Sequence, residues 1–219
     1  MDLLNLLLSR RSIRRYTESP IPQRALETIL AAGLLSPSSR GRRPWEFVVV
    51  QNPKTLEALS HCRQGSAAML AGAKAAILVF ADPEKTDVWT EDCAIAMSNM
   101  HLMAHHLGLG SCWIQGRLRQ AEDGTSTEAF CRALLSVPAR YTLEAILSLG
   151  FPAIQPEPHS LEDLPREKIH WDTFYSLSRH SAKKRVYPQS PRYTRFYLNG
   201  TASPGSPHAS TVKISSMVT

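Results

Sequence analysis

The chain has 219 residues, 43% of them hydrophobic and 20% charged, a balance ordinary for a soluble globular protein with one compact domain. Its formal charge of +6 suggests an anionic partner, but residues 176–219 hold seven of the 25 Lys/Arg and no Asp or Glu; the first 175 residues keep 18 basic against 19 acidic side chains, a net −1. Four dispersed cysteines (Cys62, Cys93, Cys112, Cys131) with no CxxC pair exclude a dense disulfide framework and a structural zinc site, and no apolar run reaches membrane-span length. Buried, reduced thiols in a cytoplasmic protein are expected.

In chain order, Asp2 is placed to cap a helix over 3–9 whose leucines cover most of one side. Met1–Leu8 lacks a basic n-region and a small-residue cleavage site, so it reads as this helix rather than a signal peptide. Ile21-Pro22 opens a second helix with Leu26, Ile29, Leu30, Gly33 and Leu34 at helical spacing, stopped by Ser36-Pro37. Phe47–Val50 is a β-branched run and reads as a buried strand; Asn52-Pro53 starts a helix carrying Leu56 and Leu59. Ala75–Ala81 is a second buried strand. The longest helix, Thr90–Leu107, is apolar nearly all round, which predicts burial on every side, in the core or in a subunit interface. Gly108 and Gly110 should end it. A strand over 111–114, a helix over 128–135 and a strand over 142–149 follow. The pattern fits an α+β sandwich around one mixed sheet.

Beyond Phe174 apolar periodicity is lost, and 176–219 read as a disordered basic Ser/Pro/Arg-rich tail. Lys183-Lys184-Arg185 lacks the organisation of a nucleic-acid patch, and Asn199-Gly200-Thr201 matches a glycosylation sequon without an export signal.

Two polar segments carry the candidate chemistry. Arg10-Arg11-Ser12-Ile13-Arg14-Arg15-Tyr16 crowds four guanidinium groups and a serine hydroxyl, a set tolerated in water or around an anion. Pro37-Ser38-Ser39-Arg40-Gly41-Arg42-Arg43-Pro44-Trp45 adds hydroxyls, backbone N–H groups and three more arginines. Two such loops in one small domain make a bound phosphate ester the best single reading. His101, His105 and His106 invite a metal reading, since 101 and 105 share a helix face, but without an HExxH arrangement or a third ligand they read as buried or interface histidines.

The ordered segments RRSIRRY, PSSRGRRPWEFVVV, EDCAIAMSNMHLMAHHLGLGSCWIQG, LSLGFP and LPREKIHW resemble the nitroreductase family of FMN-dependent oxidoreductases, from about Leu3 to Phe174. The resemblance implies a nitroreductase-like α+β sandwich over residues 1–175, with a mostly antiparallel sheet, forming a homodimer with flavin at the subunit interface. It assigns Arg10, Arg11, Ser12 and Arg14 to the FMN phosphate and the pyrimidine edge. Pro37, Ser38, Ser39, Gly41 and Arg43 would reach the flavin from the other subunit. Trp113, Ile114, Gln115 and Gly116 would lie along the isoalloxazine with backbone N–H groups near N5, and Arg166 and Lys168 would stand at the phosphate and ribityl end. Arg15 falls outside the matched positions.

The implied activity is hydride transfer from NADH or NADPH to FMN and on to nitroaromatic, quinone or similar small-molecule acceptors by a ping-pong route. The flavin carries the chemistry, so no catalytic side chain is expected, nor a metal, membrane or nucleic-acid partner. Gly41 and Arg43 stand where the family commonly has Asn and Gln. Reductive dehalogenation and flavin-modifying chemistry are alternatives on the same fold; both call for a lid, with modest room near 63–73 or 116–127. A flavin-binding protein without turnover, its basic tail on an acidic partner, is the alternative of another class.

Overall fold

The structure, a computed structural model, describes residues 2–174. One compact unit runs to Pro165 and a second begins at Arg166. The expected tail, 176–219, lies outside the described residues.

Local chemistry sets most element boundaries of the first unit. Helix α1 (Leu3–Ser9) is capped by Asp2, whose carboxylate accepts the Asn5 N–H at 3.0 Å. Helix α2 (Gln23–Leu34) has Pro22 as its N-cap and buries Leu26, Ile29 and Gly33. Strand β1 (Trp45–Val50) leads into α3 (Pro53–Leu59), where Asn52 Oδ1 accepts from the Lys54 and Thr55 N–H groups and proline fills the first position. Strand β2 (Ala75–Ala81) precedes α4 (Trp89–His106). Gly108, at φ +77°, turns the chain out of α4, whereas Gly110 already begins β3 (Gly110–Gln115). Ser126 caps α5 (Thr127–Leu135), and β4 (Thr142–Gly150) completes the sheet.

The four strands lie in the order β1-β2-β4-β3, every neighbouring pair antiparallel. The sheet, expected to be mixed and mostly antiparallel, is antiparallel among its named strands; its parallel pairing is an isolated bridge, Ser12 with Ser111. Strand β2 is buried on both faces, as its unbroken apolar run predicts. Ala75, Ile77, Val79 and Ala81 pack with Leu26 and Ile29 of α2 and with Ala96, Met97 and Met100 of α4. Ala76, Leu78 and Phe80 point the other way, among Leu56, Leu59, Cys131 and Ile146. The four cysteines are free and buried, and burial pushes the Cys93 thiol up to about 12, aided by Glu144 and Asp92.

The pairing of β2 with β4 slips at one point: Val79 faces Ala145 and Phe80 faces Leu143, so Glu144 is the extra residue of a β-bulge. Its carbonyl turns to the end of β3 and accepts the N–H groups of Gly116 at 3.1 Å and Arg117 at 2.9 Å.

The arginine-rich segment is laid against the edge strand β3 and the end of β4. Ile13 N–H donates to Ser111 O, Thr17 N–H to Phe151 O, and Ala153 N–H to Arg15 O. The buried Ile13 lies over Gly110, where a Cβ would come within 2.7 Å of it; Tyr16 lies over Gly150, where a Cβ would meet its ring at 2.7 Å. The Tyr16 hydroxyl donates to Ile13 O at 2.7 Å and pairs with Ser148 Oγ at 2.7 Å, and burial raises its pKa.

Helix α4 is not buried on every side in the single chain. Cys93, Ala96, Met97, Met100 and Ala104 face the core, while Ile95 is exposed, as are Leu34 and Leu35 at the end of α2. An all-apolar pattern cannot tell a core face from a face that another chain would cover.

Gly110→Ala and Gly150→Ala are expected to lower stability by about 1–3 kcal/mol each, because the new methyl would strike Ile13 and Tyr16 at the branched or ring base of their side chains, which move only with the chain that carries them. Gly72→Ala, where a Cβ meets nothing within 4 Å, should stay within about 0.5 kcal/mol of the parent in urea unfolding.

Candidate functional site

Extended backbone alternates its side chains, so Arg10, Ser12 and Arg14 share one side of the segment while Ile13 is driven into the core on the other. All three bear on the Cys112 thiol: burial raises its pKa, while Arg14, Arg10 and a hydrogen bond to Ser12 act the other way. Arg10 is partly buried at the C-terminus of α1, its pKa lowered by desolvation and then by Arg11. Its Nη1 donates to His101 Nε2 at 2.9 Å. Arg11 donates through Nη1 to the carbonyl of Glu157. Arg14 and Arg15 are exposed. Among the described residues none of Arg10, Arg11 and Arg14 has a carboxylate ion pair; the pairs formed are His61–Glu122, Lys74–Glu18, Arg117–Glu144 and Arg132–Glu128. Guanidinium and hydroxyl donors with no internal anion suit a phosphate monoester, so this donor set fits the phosphate of FMN.

The 37–43 loop is held by α4. Arg40, Gly41 and Arg43 all take positive φ (52°, 66° and 46°), a conformation costly for the two arginines. The turn is fastened by Ser39 N–H to Asp92 Oδ1 at 2.8 Å, Arg43 N–H to Ser38 Oγ at 2.9 Å and Gly41 N–H to Ser38 O at 3.0 Å. Arg42 donates to the carbonyl of Lys85. Asp92 is buried in the first turn of α4, where the helix dipole favours its charge, and its Oδ2 has no partner. Pro37, Gly41 and Arg43 are exposed, and Ser38 and Ser39 half-buried. Asp92 and His101 are nine residues apart on α4, about 14 Å of helix rise. The loop and the Arg10 strip are thus tied to well-separated points along one helix.

At the end of β3, Trp113 Nε1–H donates to Gln115 Oε1 at 2.9 Å, and Gln115 Nε2 donates to Glu144 O at 3.2 Å and Glu144 Oε1 at 3.3 Å. Arg117 Nε lies 3.2 Å from Glu144 Oε2. The Gly116 N–H is already spent on Glu144 O, and a Cβ at Gly116 would meet the end of the buried Leu143 side chain at 2.6 Å, so that side chain would have to shift. Ile114 is buried in the core, leaving only its backbone to face a ligand. Arg166 and Lys168 lie in a short 3-10 turn of the second unit, both exposed; their assignment to the phosphate end rests on the resemblance alone.

The structure adds three pairings that spacing could not single out: His101 on Arg10, Asp92 under Ser39 and Glu144 behind Gln115. They span 29 to 91 positions of sequence. The helical spacing of His101 and His105 was visible; their partners, Arg10 and Ser9, were not.

The Nitroreductase family model matches residues 7–63 and 55–151 of the chain. The chain belongs to the nitroreductase family. It is 35% identical over 173 residues to a protein of Methanothermobacter thermautotrophicus with the provisional name NADH dehydrogenase/NAD(P)H nitroreductase, covering 78% of this chain and 86% of that one. Among solved structures it is similar to an FMN-dependent nitroreductase from Clostridium difficile R20291, at 43% identity and a TM-score of 0.77, over 78% of this chain and all of the other. It is also similar to a provisionally named nitroreductase in complex with FMN from Desulfovibrio desulfuricans, at 29% identity and a TM-score of 0.64, over 80% and 99% of the two chains. As in other nitroreductase-family chains, the fold is α+β, and the elements carrying Arg10–Arg14, the 37–43 loop and Trp113–Gly116 fall within the matched residues.

Burial, then Arg10 and His105, depress the pKa of His101 from 6.5 to about 4. Between those values the unfolded chain binds a proton that the folded chain refuses. The contribution is therefore intact above pH 6.5 and lost as pH falls toward 4, by about 3 kcal/mol in total. The stability advantage of the parent over His101→Gln should shrink by about that amount when denaturation is followed from about pH 7 down to about pH 4.

Proposed function

We propose that this nitroreductase-family chain is an FMN-dependent oxidoreductase that uses NADH or NADPH to reduce nitroaromatic, quinone or related electron-poor small molecules, working as a homodimer. The observation that carries this reading is the Arg10-Ser12-Arg14 strip, which aligns cationic and hydroxyl donors on one face with no carboxylate to neutralise them. The names of the Clostridium difficile and Desulfovibrio desulfuricans structures, which include FMN, and the nicotinamide in the name of the Methanothermobacter protein support the same cofactor pair.

Bound FMN would supply the redox chemistry, taking a hydride from the nicotinamide and passing its electrons to the acceptor in a ping-pong sequence. The protein binds and orients. Arg10, Ser12 and Arg14 hold the phosphate, and Arg11, tied to Glu157, stiffens the strip. Trp113 and Gln115, locked to each other and to the Glu144 bulge, form a rigid wall for the ring. The 37–43 loop, fixed in its left-handed turn by Asp92, offers the half-buried Ser38 and Ser39 and the exposed Gly41 and Arg43 to the flavin of a second copy. Leu34, Leu35 and Ile95, exposed in the single chain, supply apolar surface for that copy to cover.

Purified protein should be yellow and sediment as a dimer, and anaerobic NADH or NADPH should bleach it, with colour restored by an electron-poor acceptor. Protein that stays colourless after incubation with FMN overturns the reading. Yellow protein that neither nicotinamide reduces leaves a flavin-binding protein without turnover instead.

Arg43 places a fixed positive charge on the loop, and a cation near the flavin edge stabilises the anionic reduced ring. Arg43→Gln should therefore lower the two-electron midpoint potential, by roughly 30 mV for every 1.4 kcal/mol of stabilisation removed. A potential that does not fall places Arg43 away from the ring.

A further inference from the structure

We infer that His101 is a positioning residue for cofactor binding: as a neutral imidazole protonated on Nδ1, it fixes the Arg10 guanidinium for the phosphate without neutralising it. The inference rests on the proposed placement of the phosphate at Arg10. Its geometric basis is a relay of three side chains from three elements. Arg10 Nη1 lies 2.9 Å from His101 Nε2, and His101 Nδ1 is hydrogen bonded to Ser111 Oγ. An arginine only donates, so Nε2 must present its lone pair. The ring proton then sits on Nδ1 and is given to Ser111 Oγ. A doubly protonated ring would turn an N–H against the guanidinium and set two cations in contact.

Ser111 joins the two halves of the arrangement. Its hydroxyl accepts the Nδ1–H of the tautomer that Arg10 imposes on His101, while its carbonyl accepts the Ile13 N–H and its backbone bridges Ser12. One residue of β3 therefore registers both the strip that carries Ser12 and Arg14 and the imidazole that aims Arg10. Ser111 is 2% exposed, so neither of its polar groups has bulk water as an alternative partner.

The choice of acceptor is chemically informative. A carboxylate in place of the imidazole would hold Arg10 more strongly but cancel its charge and compete with an incoming phosphate. A neutral nitrogen orients the guanidinium and leaves the charge and the remaining N–H groups to the ligand. The charged and titratable groups acting on the pair agree. They are Arg11 beside Arg10, His105 one turn along α4, and Cys112 on β3, with no carboxylate among them. Burial and the neighbouring Arg10 hold the imidazole in its neutral form at ordinary pH. His105, which pairs with Ser9 Oγ through Nε2 at 2.8 Å, extends the same packing of α4 on the end of α1.

The test compares FMN with riboflavin, which has the same ring and ribityl chain without the phosphate. The full-length protein is freed of flavin and titrated with each, following quenching of flavin fluorescence. Four proteins are compared: the parent, His101→Leu, His101→Gln and Arg10→Gln. In the parent, FMN should bind more tightly than riboflavin. His101→Leu should reduce the ratio of FMN to riboflavin affinity by about tenfold, because only the phosphate contact depends on Arg10. His101→Gln, which returns a neutral carbonyl oxygen to accept from Arg10, should restore the ratio to within about twofold. An unchanged ratio in His101→Leu overturns the inference, as does an equal loss of both flavins, which would mark a merely structural role. A Gln variant that behaves like Leu also overturns it. Arg10→Gln separates the two levels: if it leaves the ratio unchanged, the phosphate is not at Arg10 and the placement itself fails. If it lowers the ratio while His101→Leu does not, the placement stands and the role of His101 alone is overturned.

Discussion

Two glycines without side chains set the geometry on which the candidate site depends. At Gly110 and Gly150 the edge of the sheet is bare, and Ile13 and Tyr16 fill the space that Cβ atoms would take. Tyr16 is then locked by hydrogen bonds to Ile13 O and Ser148 Oγ. Around the seated Ile13, whose N–H donates to Ser111 O, the chain is held against β3, with Ser12 bridged to Ser111. Next to Ile13, alternation sends the side chains of Arg10, Ser12 and Arg14 to the opposite side, whereas Tyr16, of the same parity, turns back onto the sheet. The mutual repulsion of the guanidinium groups is opposed by the burial of Ile13, which contributes about 1.5–3 kcal/mol, and by the packing and hydrogen bonds of the half-buried Tyr16. Like charges are thus held close by apolar packing rather than by counter-charges, which leaves them available to an external anion.

Helix α4 extends this arrangement across the molecule. Its core face packs with α2 against the sheet, while residues near its two ends serve the two polar segments: Asp92 fastens the 37–43 loop and His101 meets Arg10. The helix is apolar enough to be buried and carries just enough polar side chains to aim the loops around it. The Glu144 bulge does the same for the end of β3. One extra residue in β4 breaks the ladder and turns a carbonyl toward Gln115, Gly116 and Arg117. Rigid supports of this kind suit a protein whose chemistry would reside in a cofactor, because orientation is then the protein's main contribution.

Element existence was legible because local rules agreed with one another. The Ala75–Ala81 strand is bounded in sequence by Asp82-Pro83 and is observed at the same limits. Asp2 and Asn52-Pro53 announce helix starts through side-chain chemistry that acts within three residues. What failed to transfer was information about faces. Leu34 has the spacing of a core residue yet is exposed, and α4 looks buried all round yet leaves Ile95 in the open. Periodicity reports that a side chain is apolar, not which surface will cover it.

The sequence by itself determined the family, the order of the elements and the presence of two cationic, hydroxyl-bearing segments, because these depend on residue types and short spacings. Only the tertiary structure decided which of those groups act together. It put Ile13 and Tyr16 on Gly110 and Gly150, His101 against Arg10, and Asp92 under Ser39. It also showed that the Gly116 N–H is taken by Glu144. The physical reason is range: caps and periodicity operate within one or two turns of chain, whereas a hydrogen bond closing a gap of 91 residues exists only after the sheet and α4 have packed. The arginine run was visible from the start as charge; its direction came from the glycines beneath it.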